Sequence, residues 1–236
     1  MTWSIHPCTV SDAHAIGRNN CTAFWGQPYW RIMWPKDMQL SFMIEQVQKR
    51  TAAAVLLADR RARRHEKVVD NETGEVIGYA RWVLPDSVVS KGGESGEVVW
   101  GDRQVPDVDE GTKKRAEEEM EGAWFEPRGD MGELDSKIDE ALERILGERE
   151  YLKLDYLAVH PDRQGEGIGT ALTESGIKKA VELGLPIFVM GFDVSRGLYL
   201  RLGFREVESV LQDDRKFGGD GNYNAYFMVY DKHVVR

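Results

Sequence analysis

The sequence predicts an α/β protein built on a mixed sheet flanked by helices. Three observations carry this. Runs rich in β-formers alternate with helix-patterned runs along the chain, and two of the β-rich runs flank a hairpin-type turn. Further on, a strand-like run passes through a glycine-rich turn straight into a helix. With 236 residues, 42% of them hydrophobic and 30% charged, the chain can bury a sizeable core. One domain over 1–236, with a helical insertion at about 86–148, is the simplest parse.

Thr2 to Pro7 is expected to form a first strand. Ser11 and Asp12 then offer an N-cap for a helix through Ala13, Ile16 and Cys21. FWGQPYWRIMW, from Phe24 to Trp34, is crowded with aromatics and broken by Gly26 and Pro28, which suits a loop; such a loop lines a pocket or packs as a lid. Lys36 to Arg64 reads mostly helical, with Leu40, Ile44 and Val47 on one face. Lys67 to Val69 and Val76 to Leu84 read as antiparallel strands joined by a turn at Asp70 to Gly74. Beyond Pro85 the pattern loosens through SKGGESGE, followed by acidic helix-like stretches at Thr112 to Met120 and Glu133 to Leu146.

Tyr151 to Val159 is strand-like, HPDRQGEGIGT is a turn, and Ala171 to Leu183 is a helix stopped by Gly184 and Pro186. Two apolar triads on this helix, Ile168/Ala171/Leu172 and Ile177/Ala180/Val181, predict cover on more than one side. Ile187 to Met190 is a short buried strand, and Leu198 to Leu202 a short helix ending at Gly203. Phe204 to Leu211 and Asn224 to Tyr230 are strand-like.

Composition excludes several function classes. No apolar run approaches the ~18 residues of a membrane span, and the start MTWSIHPCTVSDAH has no basic segment followed by an apolar one, so a secretory signal is not expected. A cytoplasmic protein is expected, with the nucleus left open. The only cysteines, Cys8 and Cys21, have no CxxC spacing and read as free buried thiols rather than a disulfide or zinc framework; no metal is expected. Val105 to Glu150 holds 16 Asp and Glu against seven Lys and Arg, which accounts for the whole net charge of −9. This balance argues against nucleic acid as a partner and leaves room for a cationic one; the bland alternative is a solvated helical face.

The chemistry-bearing stretch is Gln164 to Thr170. A glycine-rich turn from a strand into a helix N-terminus gathers unpaired amides and the positive end of the helix dipole, which makes an anion site. A Walker A loop would need Gly-Lys-Ser/Thr, absent at Gly169-Thr170. A dinucleotide fingerprint would need its glycines close behind the strand, whereas His160 to Gln164 intervene.

The spacing Gln164-x-x-Gly167-x-Gly169 instead closely resembles the acyl-CoA signature of the GNAT superfamily, Q/R-x-x-G-x-G/A. Leu157 to Pro161 is similar to the strand and turn that precede the signature in that family, and Leu198 to Phe204 is similar to its LYxxLGF segment. The resemblance covers about Tyr151 to Phe204, and the hairpin at Lys67 to Leu84 is similar to the family's second and third strands.

The resemblance implies a GNAT fold, a mixed, mostly antiparallel twisted sheet flanked by helices, and acetyl-CoA as co-substrate. The main chain of Leu157, Ala158 and Val159 would lie along the pantetheine arm, and the amides of Gln164, Gly165, Glu166, Gly167, Ile168, Gly169 and Thr170 would hold the pyrophosphate. Tyr199 would protonate the departing thiolate, a role that needs a nearby hydroxyl; otherwise its ring packs on the cofactor. Arg163 and Arg201 are candidates for outer phosphates. The acceptor amine needs a base, and Asp155, two residues before Leu157 and hence on its face by strand periodicity, is the candidate. The alternative for Asp155 is a salt-bridged strand residue. GFDVSRGL, between Met190 and Tyr199, lacks the asparagine and alanine that many members carry there.

The expected activity is N-acetylation of a small-molecule primary amine by direct attack in a ternary complex. A protein or peptide acetyltransferase and a catalytically silent acyl-CoA-binding module are the alternatives. Carboxylates of the acidic segment, Glu117, Glu118, Glu119 and Glu121 among them, facing the acceptor would favour a cationic amine.

Overall fold

A computed structural model describes residues 2–95, 100–219 and 221–231. Among these residues seven strands form one sheet in the order β1-β2-β3-β4-β5-β7-β6. They are β1 (Trp3–Pro7), β2 (Arg63–Asp70), β3 (Val76–Val83), β4 (Leu152–Val159), β5 (Ile187–Phe192), β6 (Arg205–Asp213) and β7 (Asn222–Tyr230). Every neighbouring pair is antiparallel except β4 and β5, which are parallel and joined by a helical crossover.

Helices α1 (Ala13–Trp25), α2 (Pro28–Arg31) and α3 (Leu40–Arg50) follow β1. Helices α4 (Asp86–Ser95), α5 (Glu110–Glu121) and α6 (Gly132–Glu148) lie between β3 and β4. Helix α7 (Ile168–Leu183) crosses from β4 to β5, and α8 (Asp193–Arg201) follows β5.

One face of the sheet packs Trp82, Leu152, Leu154 and Val189 against Ile168, Leu172 and Ala180 of α7 and Tyr199 of α8. On alternate residues, and so on the other face, Tyr79 packs with Ala13, Ile16, Ala52 and Leu56. Phe188, Phe227 and Val229 pack with Ile138, Ala141 and Ile145 of α6. Helix α7 sits close to the sheet because Gly176 has no side chain: a Cβ there would fall inside the indole of fully buried Trp82.

Several element limits differ from the sequence expectation. Phe24 and Trp25 end α1, and Pro28 opens a one-turn helix, so the aromatic stretch is less of a loop than its Gly and Pro suggest; Pro at a first helical turn loses no needed N–H. Helix α3 continues into a π-helical stretch, Thr51–Leu57. Arg63 and Arg64, expected to end the helix, and His65 and Glu66, which follow them, instead extend β2, paired with Val83 to Ala80 of β3. Glu66 can be fully buried there because Ser175 Oγ (2.6 Å), Arg103 Nε (3.0 Å) and Trp82 Nε1 (3.2 Å) donate to it.

The loose SKGGESGE stretch is helical as far as Ser95, held by Val88 and Val89 packing on the α7-side core; its remaining residues, 96 and 97, lie outside the described residues. Helix α7 begins at Ile168, three residues earlier than expected, and buries one stripe, Ile168, Leu172, Thr173, Gly176 and Ala180. Val181 stays 37% exposed, so the expected cover on a second side is absent. Helix α8 begins at Asp193 rather than Leu198, its start tied by Phe192 N donating to Ser195 Oγ at 3.2 Å. Both cysteines are free and buried, as the missing CxxC spacing predicts. Among the described residues no helix is long and apolar enough to cross a membrane.

Candidate active site

The site begins with one extra residue in β4. Arg81 pairs with Tyr156 and Trp82 with Leu154, which leaves Asp155 opposite nothing. Such a bulge bends the strand that carries it. Pairing of β4 with β5 stops at the same point: Leu152, Lys153 and Leu154 match Ile187, Phe188 and Val189, and no pair follows. From Asp155 to Val159 one edge of β4 therefore faces an opening, while β5 runs on to Phe192 paired with β7. A free strand edge presents unused N–H and C=O groups, a template for an extended ligand.

The opening is a cleft with two chambers that share Leu157, Val159, Gln164, Val194 and Ser195. The first, about 340 Å³, is lined by the glycine turn. Gly165 and Gly167 have φ of +84° and +82°, a conformation glycine takes without Cβ strain. The Ala171 amide donates to Gly167 O at 3.0 Å. The three helix amides before it, of Ile168, Gly169 and Thr170, are left without an intrahelical acceptor. Gln164 to Gly167 are exposed, so this cradle is open to an anion.

Of the two arginines in this chamber, Arg163 is tied to Asp70 and to both oxygens of Glu166 (2.7 and 3.0 Å), and its guanidinium pulls the Asp70 carboxyl down to about 2. Arg201 lines the chamber with no ion pair among the described residues.

The second chamber, about 290 Å³, holds the other predicted groups. Tyr199 lies at its floor, 3% exposed, its ring against Phe204 (centroids 5.4 Å apart) and its hydroxyl in a hydrogen bond with Ser195. Burial raises the phenol's pKa well above its ordinary value, so the proton stays on at neutral pH. Gly191 makes room for this ring: a Cβ there would stand 2.9 Å from Tyr199 Cε2.

Asp155 also lines this chamber, but the bulge breaks the period-2 rule that put it on the face of Leu157. Its carboxylate meets Arg81 (Nε at 2.6 Å, Nη2 at 2.5 Å), on the sheet face of Tyr156, whereas Leu157 packs into the α7-side core. Ala158 is buried, leaving its main chain at the cleft.

The cleft thus brings together Tyr199, Asp155, Leu157, Val159 and the glycine turn. Sequence reasoning missed Tyr156, Phe192 and Gly191, whose placement depends on the bulge and on where β5 leaves β4. It did single out the aromatic stretch, and Phe24, Tyr29 and Trp30 wall the chamber. Glu117, Glu118, Glu119 and Glu121 are exposed on α5, which packs through Ala116, and none of them lines the cleft.

Comparison with known proteins gives a match over residues 133–206 to the family model described as an acetyltransferase (GNAT) domain. The match takes in α6 as well as the β4–α7 turn and α8. No curated protein sequence matches the chain. Among solved structures, the chain is similar to a protein described as histone acetyltransferase HPA2 and related acetyltransferase from Corynebacterium glutamicum, with 18% identity, 98% of this chain and 97% of that one covered, and a TM-score of 0.55. A Drosophila melanogaster polyamine N-acetyltransferase that forms N-acetylagmatine is similar at 12% identity, 97% and 99% coverage and a TM-score of 0.56. The C-terminal condensation domain of Ebony, in complex with beta-alanyl-dopamine, is similar at 11% identity, 96% and 98% coverage and 0.54. These likenesses share the fold of the whole chain, and the family model falls on the segment that carries the glycine turn and Tyr199. Residues 133–206 thus match the GNAT acetyltransferase domain, and the whole chain shares its fold with these structures.

Proposed function

We propose that the protein moves the acetyl group of acetyl-CoA to the primary amine of a small molecule by direct attack in a ternary complex. The observation that carries this is the β4–β5 opening, which has an anion cradle at one end, a protonated buried phenol at its floor and a chamber of about 290 Å³ at the other end. In this reading the amides of Gly165 to Thr170 hold the pyrophosphate, and the edge of Leu157 to Val159 aligns the pantetheine. The amine attacks the thioester carbonyl, the C–S bond breaks, and Tyr199 gives its proton to the departing sulfur.

Among the described residues Asp155 is the one carboxylate lining the chamber, and it takes the proton the amine must lose, directly or through water. Neither cysteine suits a covalent acetyl relay, because burial pushes the Cys21 thiol up to about 12 and Cys8 higher still, and the thiolate is the nucleophile. A chamber at the lower end of the ~300–1,000 Å³ range of small-molecule pockets supports a small acceptor over a protein chain.

The test is release of CoA thiol from acetyl-CoA with a panel of amines, alongside calorimetric binding of acetyl-CoA. Binding without thiol release for any amine would favour a silent acyl-CoA module. Turnover confined to peptides would move the acceptor to protein.

A further inference from the structure

The walls of the acceptor chamber carry an inference about what fits there, and it rests on the acetyltransfer reading above. Phe24 of α1 meets Tyr156 at 5.0 Å between centroids and 69° between planes, and meets Tyr29 at 6.3 Å and 71°. Tyr29 in turn stacks on Phe192, 3.5 Å and 12° apart, at the point where β5 has left β4. Trp30 adds to the same lining. The result is a corner in which Phe24 stands steeply to Tyr156 and Tyr29 while Tyr29 lies parallel to Phe192, in the chamber that Tyr199 also lines. Burial raises the Tyr29 and Tyr156 phenols well above their ordinary pKa, so these walls are neutral at physiological pH.

Among the described residues Asp155 is the one charged side chain in the lining, and Arg81 holds its Oδ2, which leaves Oδ1 for the reacting amine alone. A diamine or polyamine entering here would bury its far ammonium with no counter-charge, and an unpaired buried charge is strongly disfavoured. A ring would gain apolar burial and edge or stacked contacts with rings already arranged at such angles. The single amine that must react can reach Asp155 and the thioester while its ring lies in the corner.

We propose that the acceptor is an arylalkylamine, an aromatic ring joined to a primary amine by a short chain, and that Phe24, Tyr29 and Phe192 determine this specificity. The experiment compares kcat/KM by thiol release for 2-phenylethylamine, n-butylamine and spermidine, in wild type and in Tyr29→Leu and Phe192→Leu. Leucine keeps an apolar wall and removes the ring, and Phe24→Leu provides a further variant if either fails to fold. In wild type, 2-phenylethylamine should exceed both others by at least about tenfold, the scale on which an apolar pocket discriminates. In the variants the ratio of 2-phenylethylamine to n-butylamine should fall by about three- to tenfold. Equal kcat/KM for the three amines, a preference for spermidine, or a ratio unmoved in folded variants overturns the inference while leaving acetyltransfer in place. No thiol release with any amine, while acetyl-CoA binds, overturns the acetyltransfer reading and this inference with it.

Discussion

Replacing Gly191 by alanine tests whether the position of the Tyr199 hydroxyl limits the reaction. The added Cβ would stand 2.7 Å from Ser195 Oγ and 2.9 Å from Tyr199 Cε2. Carbon atoms pack best at about 3.5–4.0 Å, so the ring must retreat by roughly 0.5–1 Å. Tyr199 is only 3% exposed and rests on Phe204, so the retreat displaces the hydroxyl rather than swinging it into open space. Misplacing a reacting group by about 1 Å costs on the order of 10²-fold, and an overpacked core methyl costs about 1–3 kcal/mol of stability. Gly191→Ala should therefore fold with a Tm lower by roughly 2–12 °C and lose about 10- to 100-fold in kcat. Calorimetric affinity for acetyl-CoA should change little, because the glycine turn is untouched.

Tyr199→Phe alone should lose about 10²- to 10⁴-fold in kcat, the scale for a positioned proton donor. The double variant should be no slower than Tyr199→Phe, since both changes act through one hydroxyl. Wild-type kcat in a folded Gly191→Ala protein would refute the reasoning. So would losses that multiply in the double variant, which would mean that Gly191 acts on something other than Tyr199.

Three further outcomes follow from the geometry. Gly167→Asp should weaken acetyl-CoA binding by at least about 10²-fold, by setting a carboxylate in the anion cradle; Gly167→Ala, where a Cβ meets nothing within 4 Å, should cost mainly the ~1–2 kcal/mol of left-handed strain. Calorimetry and thermal melts separate the two, and equal affinities in both variants would remove the cradle's role. Asp155→Asn should lower kcat and flatten the acid limb of its pH profile, because a base works only when ionised; an unchanged profile would pass the proton to water. Gly176→Ala should cost about 3 kcal/mol or more, the upper end for overpacking, read as a Tm loss of roughly 6–12 °C; an unchanged Tm would mean that α7 does not depend on contact with Trp82.

The parts of the candidate site legible in the sequence are those that backbone chemistry writes locally. Glycines that need positive φ at 165 and 167, followed at once by a helix, mark the cradle without reference to any other strand. Tyr199 was legible through the spacing of Leu198 to Phe204. The direction of Asp155 was not, because a bulge is a property of two strands: it exists only because Arg81 and Trp82 pair with Tyr156 and Leu154. The start of β2, at Arg63 rather than Lys67, misled for a related reason. A polar run reads as a helix end until Ser175, Arg103 and Trp82, all distant in sequence, converge on the Glu66 carboxylate and let a charged strand be buried.

The acidic segment shows why a charge count is a poor guide to an acceptor site. The four glutamates of α5 stay in solvent, where salt screens them within about 8–10 Å. The segment's uncharged and paired groups reach the chamber's supports instead. Trp124 N donates to Gln46 Oε1 at 2.9 Å, beside the aromatic cluster of Trp34 and Met43. Arg128 N donates to Met33 O at 3.0 Å, while its Nη1 donates to Phe217 O at 2.6 Å. Met131 and Leu134 pack on Ile32, and Gln212 Nε2 donates to Leu134 O at 2.6 Å. The stretch from Trp124 to Leu134 therefore straps the chain just after α2 to the β6–β7 end of the sheet, and α2 carries Tyr29 and Trp30. Whatever this segment contributes to acceptor choice runs through the position of those rings, since its charges never line the cleft.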